Sequence, residues 1–268
     1  MPTLTWNQHE WDRRYEWAGR GDEWSTPWGG TEAQWQSCVY PRIARFLPAG
    51  TILEIAPGFG RWTQFLLAQC GSYIGVDLAE RCVATCTERF AGQDHARFFV
   101  NDGLSVPMVA DGTVDFAFSF DSLVHCEQDV VGAYLRELRR VLAPTGVAFL
   151  HHSNLGVYRR STALVDAVGR ALSPFSARAR NGVQLWNYWR GKSMTADRFV
   201  ELCAAAELNC VGQEVINWIG RGPLLLDCIS VVTQPGSSWD RPLIRQTNRR
   251  FSAAARSSAA AAQLFLPR

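Results

Sequence analysis

The chain has 268 residues, of which 47% are hydrophobic and 19% are charged, and its formal net charge is +2. This length suits one core with additions, and the near-neutral charge gives no reason to expect a nucleic acid as the main partner. No stretch is apolar enough to span a membrane and the first residues lack a signal-peptide core, so we expect a cytoplasmic protein. The eight cysteines contain no Cys-x-x-Cys pair, which favours buried thiols over a metal site or disulfides.

Residues 1–48 form an N-terminal segment that is unusually aromatic. Six aromatic side chains precede residue 30: Trp6, Trp11, Tyr15, Trp17, Trp24 and Trp28. They predict either a helix that packs its aromatic face on the core or a lid over a ligand, and we favour the lid. A further helix is predicted to begin at Thr31, where Gln34 would complete a capping box.

The next segment predicts a strand that turns sharply into a helix. The apolar run from Thr51 to Ile55 is typical of a buried strand, and Pro57, Gly58 and Gly60 interrupt it. Such a turn presents backbone N–H groups to a ligand, which glycine allows to approach closely. Asp77 ends the following predicted strand, at the position where a ribose diol is usually bound. The pattern therefore predicts a site for a nucleoside-containing cofactor.

The details of this turn decide between cofactors. The dinucleotide pattern Gly-x-Gly-x-x-Gly would require glycine at positions 56 and 61, where the chain has Ala56 and Arg61, and this disfavours a nicotinamide dehydrogenase. The spacing of Glu54, Ala56, Gly58 and Gly60 instead resembles motif I of the class I S-adenosylmethionine-dependent methyltransferases. Ala56 replaces the first glycine of that motif.

The resemblance continues in order along residues 50–152. Residues 98–103 look like the third strand of that family, residues 114–121 like the fourth, and residues 138–146 like the helix and turn before the fifth. The resemblance implies an α/β, Rossmann-like fold with a seven-stranded, mostly parallel sheet and helices on both faces. A core over 49–234 would contain an insertion at about 155–193 for the acceptor, and strands at 210–218 and 224–232 would form an antiparallel edge hairpin. The tail, 235–268, could be a helix at a homo-oligomer interface or a partly disordered end.

The same resemblance implies S-adenosylmethionine as cofactor and a set of residues that bind it. Asp77 would bind the ribose hydroxyls, and Asp102 the adenine amino group. The implied set is Glu54, Ala56, Pro57, Gly58, Gly60, Trp62, Asp77, Leu78, Asp102, Gly103 and, from the lid, Trp28.

Candidate catalytic residues lie after the fourth predicted strand and at the end of the fifth. A hydroxyl acceptor must lose a proton, and histidine is the commonest base for that step. Asp121 and His125 would share a helix face, so the carboxylate could orient the imidazole, or both could hold a divalent metal such as Mg²⁺. His151 and His152 end the fifth strand, and adjacent strand residues face opposite sides, so at most one should face the acceptor. No carboxylate cluster in the sequence demands magnesium.

The acceptor is predicted from the residues after the fourth strand and from the tryptophans. The chain has Phe120 to Leu123 where methyltransferases of exocyclic amino groups on nucleic acids carry an Asn/Asp-Pro-Pro-Tyr/Phe signature, which favours an oxygen acceptor. Tryptophans near Arg and Asn, in the N-terminal segment and the insertion, suit the flat faces and hydroxyls of a sugar. The segments at 58–62, 120–125 and 151–154 together resemble those of bacterial methyltransferases associated with polysaccharide and glycoside synthesis. We therefore expect O-methylation of a sugar or oligosaccharide. The alternatives are an O-methyltransferase of an aromatic or polyketide natural product, and a non-catalytic cofactor-binding subunit.

Overall fold

The computed structural model describes residues 3–161, 189–218 and 224–263. Within these residues the strands form one sheet. They are β1 (Ala49–Ile55), β2 (Cys70–Asp77), β3 (Ala96–Val100), β4 (Val114–Ser119), β5 (Leu142–Ser153), β6 (Asn209–Ile216), β7 (Asp227–Thr233) and β8 (Ile244–Asn248). Their order across the sheet is β3-β2-β1-β4-β5-β7-β6-β8.

The α-helices cover both faces of this sheet. They are α1 (Leu4–His9), α2 (Thr31–Gln34), α3 (Tyr40–Ile43), α4 (Thr63–Leu66), α5 (Glu80–Arg89), α6 (Gln128–Val141), α7 (Ala196–Ala205) and α8 (Phe251–Gln263). Short 3₁₀ segments lie at Asp22–Trp28, Ala44–Phe46, Leu67–Gln69, Leu123–His125 and Leu155–Tyr158, and π-helical turns at Glu10–Arg14 and Trp35–Val39. None of the helices in the described part of the chain is long and apolar enough to cross a membrane.

Alternating side chains of the central strands build two cores, one on each face of the sheet. On β1, Ile52 packs on the same face as its β4 neighbour Phe116, whereas Leu53 and its neighbour Ala117 pack on the other face. Successive side chains of a strand point to opposite faces, and a parallel sheet covered on both sides is apolar on both. Helices α6 and α7 contribute to the core that contains Leu53, and α3 and α8 to the core that contains Ile52.

Strands β1 to β5 are parallel, as expected for the predicted α/β, Rossmann-like fold. The chain leaves β1 toward β2 and β3, and then returns to place β4 on the other side of β1. This reversal opens a crevice at the carboxyl ends of the strands, where ligands of open α/β sheets bind.

The distal part of the sheet has one strand more than the seven predicted. Strand β7 lies between β5 and β6 and is antiparallel to both, as expected for the predicted hairpin. The tail adds β8, which pairs in parallel with β6, and then α8. Phe251 at the start of α8 is buried, and its ring lies 5.7 Å from that of Trp28. The described part of the tail thus packs on the folded core through α8.

The predicted capping box at Thr31 is wrong. Gly30 occupies the N-cap position of α2 and provides no side-chain hydrogen bond. The Thr31 hydroxyl instead donates to the Asp22 carboxylate at 2.7 Å. Thr31 therefore ties α2 to the preceding 3₁₀ segment.

Candidate functional site

An open cavity lies at the carboxyl ends of β1, β2 and β4, beneath the N-terminal segment. Ala56 to Phe59 line it after β1, Asp77 and Leu78 after β2, and Phe120 to Leu123 after β4. The cavity therefore occupies the crevice that the strand order creates.

The loop after β1 forms the floor of the cavity. Ala56 has φ of +58° and Gly58 of +59°, a region that glycine adopts freely and alanine rarely. The N–H of Ala56 donates to the Val76 carbonyl at 2.8 Å, and the Ala56 carbonyl accepts from the Ser122 hydroxyl at 3.0 Å, which holds this conformation. Gly60 also has a positive φ but does not line the cavity, because it faces the ring of Phe90.

Asp77 is the buried carboxylate of the cavity. One carboxylate oxygen accepts the N–H of Gly58 at 3.0 Å and the other that of Ala79 at 2.9 Å. Burial raises the pKa of Asp77 to about 6. Leu78 and Gly103 line the cavity beside it, as does Pro57. The structure thus brings together seven of the residues predicted to bind the cofactor: Ala56, Pro57, Gly58, Trp62, Asp77, Leu78 and Gly103.

Three other residues predicted for the cofactor do not line this cavity. Glu54 is buried behind it and accepts hydrogen bonds from the hydroxyls of Thr63, at 2.7 Å, and Tyr73. Asp102 is exposed and accepts backbone N–H groups of the next turn. Trp28 packs in the core, with its ring 5.1 Å from that of Trp218.

Aromatic rings of the N-terminal segment line one side of the cavity, but Trp28 is not among them. Trp17 stacks on Phe59 with 4.4 Å between ring centroids, and Trp11 and Trp24 line the same wall. Asn7 anchors the segment, because its side-chain amide donates to the carbonyl of His125 at 3.0 Å.

Arg61 also lines the cavity. The sequence did not predict a role for it in the site, because Arg61 was considered only as a residue that disfavours a dinucleotide cofactor. Its Nη2 donates to the Asp121 carboxylate at 2.8 Å, and its guanidinium lies 4.6 Å from the centre of the Trp62 ring. Among the described residues, Nη1 of Arg61 and Nε1 of Trp62 have no hydrogen-bond partner although both are buried. Two unpartnered buried donors in the wall of one cavity indicate a place for an anionic group.

His125 lines the cavity but does not pair with Asp121. Asp121 has φ of +66° and His125 lies in a 3₁₀ turn, so the two do not share a regular helix face. Nδ1 of His125 donates to the Trp189 carbonyl at 2.7 Å, which leaves Nε2 as the acceptor nitrogen. Burial lowers the pKa of His125 to about 4, so the ring is neutral at physiological pH.

The two histidines of β5 point to opposite faces, and neither lines the cavity. His151 accepts the backbone N–H of Asp121 at 3.1 Å through Nδ1, and its Nε2 lies 3.5 Å from the Asp227 carboxylate. His152 stacks on Phe199 at 4.1 Å and bonds the Ser230 hydroxyl at 2.8 Å. His151 therefore supports the Asp121 backbone, and His152 packs in the core.

The predicted insertion lies mostly outside the described residues, including Trp186 and Tyr188. Trp189 is described, and its ring lies 5.9 Å from that of Trp11. In the part of the chain that the structure describes, no group of three or more His, Cys, Asp or Glu side chains is placed to hold a metal ion. The magnesium prediction therefore has no support here.

Comparison with known proteins shows which domain type part of this chain resembles. Residues 52–146, about a third of the chain, match the family model of a methyltransferase domain. The chain is similar to the ribosomal RNA small subunit methyltransferase A of Moorella thermoacetica, with 37% identity over 65 residues, which are 24% of this chain and 23% of that protein. The chain thus spans about a quarter of the length of the curated relatives it matches.

Solved structures share the fold more widely. An S-adenosylmethionine-dependent methyltransferase from Methanosarcina mazei aligns with a TM-score of 0.54 and 18% identity, over 74% of this chain and 98% of that one. A chain from the complex between the Haloferax volcanii methyltransferase activator Trm112 and a protein assigned as a methyltransferase aligns with a TM-score of 0.55 and 17% identity, over 84% and 98% of the two chains. Together with the family match over residues 52–146, this confirms the predicted Rossmann-like class I methyltransferase fold.

Proposed function

We propose that this protein is an S-adenosylmethionine-dependent methyltransferase that acts on a hydroxyl of a sugar or oligosaccharide. The assignment of this cofactor rests on the buried Asp77 carboxylate, which accepts hydrogen bonds from two backbone N–H groups at the carboxyl end of β2. A carboxylate fixed in this way beside a glycine turn suits the two hydroxyls of a ribose. When bound, S-adenosylmethionine supplies a methyl group activated by a sulfonium.

The far end of the cavity fits the amino-acid portion of this cofactor. The unpartnered N–H groups of Arg61 and Trp62 suit a carboxylate, and the neighbouring Asp121 carboxylate suits an ammonium group. Asp77 is the last residue of β2 and Leu78 follows it, whereas Asp121 lies two residues after β4, on the other side of β1. The cavity therefore offers a nucleoside end and a zwitterion end, and the residues present fit the cofactor.

His125 is the residue we assign as acceptor of the proton from the substrate hydroxyl. Its Nδ1–H is engaged by Trp189, so Nε2 carries the lone pair. The pKa of about 4 keeps the ring neutral, which is the form that accepts a proton, and also makes Nε2 a weak base. Among the four predicted catalytic residues, Asp121 and His125 line the cavity. Asp121 forms an ion pair with Arg61, which leaves His125 as the candidate base.

The aromatic wall supports the choice of acceptor. Trp11, Trp17 and Trp24 line the cavity, and indole faces stack on the apolar faces of sugars while hydroxyls take hydrogen bonds. The same wall would bind a flat aromatic natural product, which is the second candidate. The named relatives act on ribosomal RNA, but the identity with them extends over 65 residues or fewer.

Two measurements test the proposal. Calorimetry with S-adenosylhomocysteine and with 5′-methylthioadenosine, which lacks the amino-acid end, should show that wild type binds both. The Arg61→Gln variant should lose at least tenfold in affinity for the first, about 1.4 kcal/mol, and less than twofold for the second. The exposed Arg97 of β3 provides the matched control, Arg97→Gln. If wild type binds neither compound, the cofactor assignment is wrong.

The acceptor is tested with labelled S-adenosylmethionine and a panel of oligosaccharides, phenols and RNA. Label transfer to a saccharide supports the proposal. Transfer to phenols alone would favour the natural-product alternative, and transfer to RNA alone would favour an activity like that of the named relatives. Cofactor binding without transfer to any acceptor would favour a non-catalytic subunit.

A further inference from the structure

Residues 189–193 form a short strap across the loop that joins β4 to α6, and backbone hydrogen bonds fix it there. The N–H of Gly191 donates to the Val124 carbonyl at 2.9 Å. Further along, the N–H groups of Lys192 and Ser193 donate to the Glu127 carboxylate at 3.1 and 2.8 Å. A Cβ at Gly191 would lie 2.0 Å from the Cys126 carbonyl oxygen, so the strap approaches this loop as closely as glycine permits.

The same strap carries the carbonyl that binds His125. Trp189 has φ of +49°, which is rare for a large side chain, and its carbonyl accepts Nδ1–H of His125 at 2.7 Å. A residue stays in such a conformation only where its surroundings over-determine it. The next residue supplies that constraint.

Arg190 is buried and forms a bidentate ion pair with Asp227 on β7, in which Nε and Nη2 each lie 2.6 Å from a carboxylate oxygen. Asp227 is fully buried as well. A buried ion pair is weak evidence for stability, because well-packed apolar residues often serve as well. The pair does define one geometry, since a planar guanidinium fits a carboxylate in a fixed orientation.

We propose that Arg190 and Asp227 are positioning residues that hold the Trp189 carbonyl against His125 and so fix its Nδ1–H tautomer. In this arrangement Nε2 of His125 is the nitrogen that accepts a proton from the acceptor hydroxyl. Neither Arg190 nor Asp227 lines the cavity, and both act through the strap. This inference rests on the proposed function, because it assigns His125 as the base.

The direct test is the tautomer of His125 in the wild-type protein. Nitrogen-15 NMR of histidine-labelled protein distinguishes protonated from unprotonated ring nitrogens, and the His125→Gln spectrum assigns the signal among the five histidines. We expect Nδ1 to be protonated and Nε2 to be unprotonated. The opposite tautomer in wild type would overturn the proposal without any variant, and without reference to methyl transfer or cofactor binding.

The paired replacement Arg190→Met with Asp227→Leu removes the ion pair without leaving a buried charge. We expect mixed tautomers of His125 and a fall of at least tenfold in kcat, while affinity for S-adenosylhomocysteine changes less than twofold and the acceptor KM less than threefold. The Arg190→Lys variant keeps the positive charge but cannot form the bidentate pair. Its kcat and its His125 tautomer ratio should lie between those of wild type and those of the paired replacement. It also keeps the proposal testable if the paired replacement fails to fold.

The matched control is another bidentate pair, Arg42 with Glu214, at 2.6 and 2.9 Å. Arg42→Met with Glu214→Leu should lower the melting temperature comparably and leave both kcat and the His125 tautomer unchanged. An unchanged tautomer and kcat after loss of the Arg190 pair would overturn the proposal, as would an equal effect of the control. If the wild-type protein does not bind the cofactor, the proposed function is wrong, but the measured tautomer of His125 is unaffected by that result.

Discussion

Replacing Glu54 with Gln separates two roles that this carboxylate could have, in the cofactor site or in the core. Burial raises the pKa of Glu54 to about 7, against 4.5 for the ordinary side chain. The native protein therefore keeps a proton on Glu54 over a pH range in which the unfolded chain has lost it. In that range the native state binds more protons than the unfolded state, so stability falls as the pH rises from 4.5 to 7.

The size of the effect is set by this difference in pKa. One pKa unit corresponds to about 1.36 kcal/mol, so ionised Glu54 costs the native state about 3 kcal/mol above pH 7. The Glu54→Gln variant has no charge to bury, and its amide oxygen can still accept from Thr63 and Tyr73. We expect the variant to be more stable than wild type by about 3 kcal/mol at pH 8, and equally stable at pH 4.

Urea unfolding at a series of pH values measures this difference, and calorimetry with S-adenosylhomocysteine measures binding. The exposed Glu88 of α5 provides the control, since Glu88→Gln should change stability little at either pH. If the Glu54→Gln variant is less stable than wild type at pH 8, the hydrogen bonds from the Thr63 and Tyr73 hydroxyls stabilise ionised Glu54 by more than burial destabilises it. Because Glu54 lies outside the cavity, cofactor affinity should change less than twofold. A tenfold loss of affinity for S-adenosylhomocysteine would instead show that Glu54 contributes to the cofactor site.

Three further predictions concern the cavity itself. His125→Gln should lower kcat by roughly 10²–10⁴ with cofactor affinity retained, and wild-type kcat at saturating cofactor should hold as the pH falls toward 4, where neutral His125 is lost. Gly58→Ala should weaken S-adenosylhomocysteine binding, since its Cβ would lie 3.0 Å from the Trp17 ring, whereas Gly112→Ala, with a similar φ of +65° and open space, should not. Trp24→Ala should cost about 1–3 kcal/mol in acceptor kcat/KM with cofactor affinity unchanged, and an unchanged KM would remove Trp24 from the acceptor site.

The parts of the fold that local patterns encode could be predicted from the sequence. The turn at Gly58 and the acidic residue Asp77 are indicated by a strand, its breaking residues and the end of the next strand, all within thirty residues. Strand β8 could not be found in this way. Most of its residues are exposed, and an edge strand without a buried face has no alternation to detect.

Features that depend on distant contacts are less predictable. Local sequence places Trp28 at the end of a lid, but it is buried against Trp218 and Phe251, which come far later in the chain. Helical spacing predicts that Asp121 and His125 lie side by side on one helix face. In the structure they do not, because Asp121 has a positive φ and forms an ion pair with Arg61. Spacing predicts a shared face only where the backbone is regular, and the ends of strands in α/β proteins are where it is not.

The cavity imposes a cost on the unliganded protein that a ligand would offset. Asp77 is a carboxylate whose ionisation burial disfavours, and Arg61 and Trp62 each bury an N–H group without a partner among the described residues. An unpartnered buried donor costs about 1–3 kcal/mol, so this wall is less stable than a fully paired one. A ligand that pairs these groups binds the native state alone and stabilises it by mass action. The unpaired N–H groups of Arg61 and Trp62 therefore support the ligand site that we propose in this cavity.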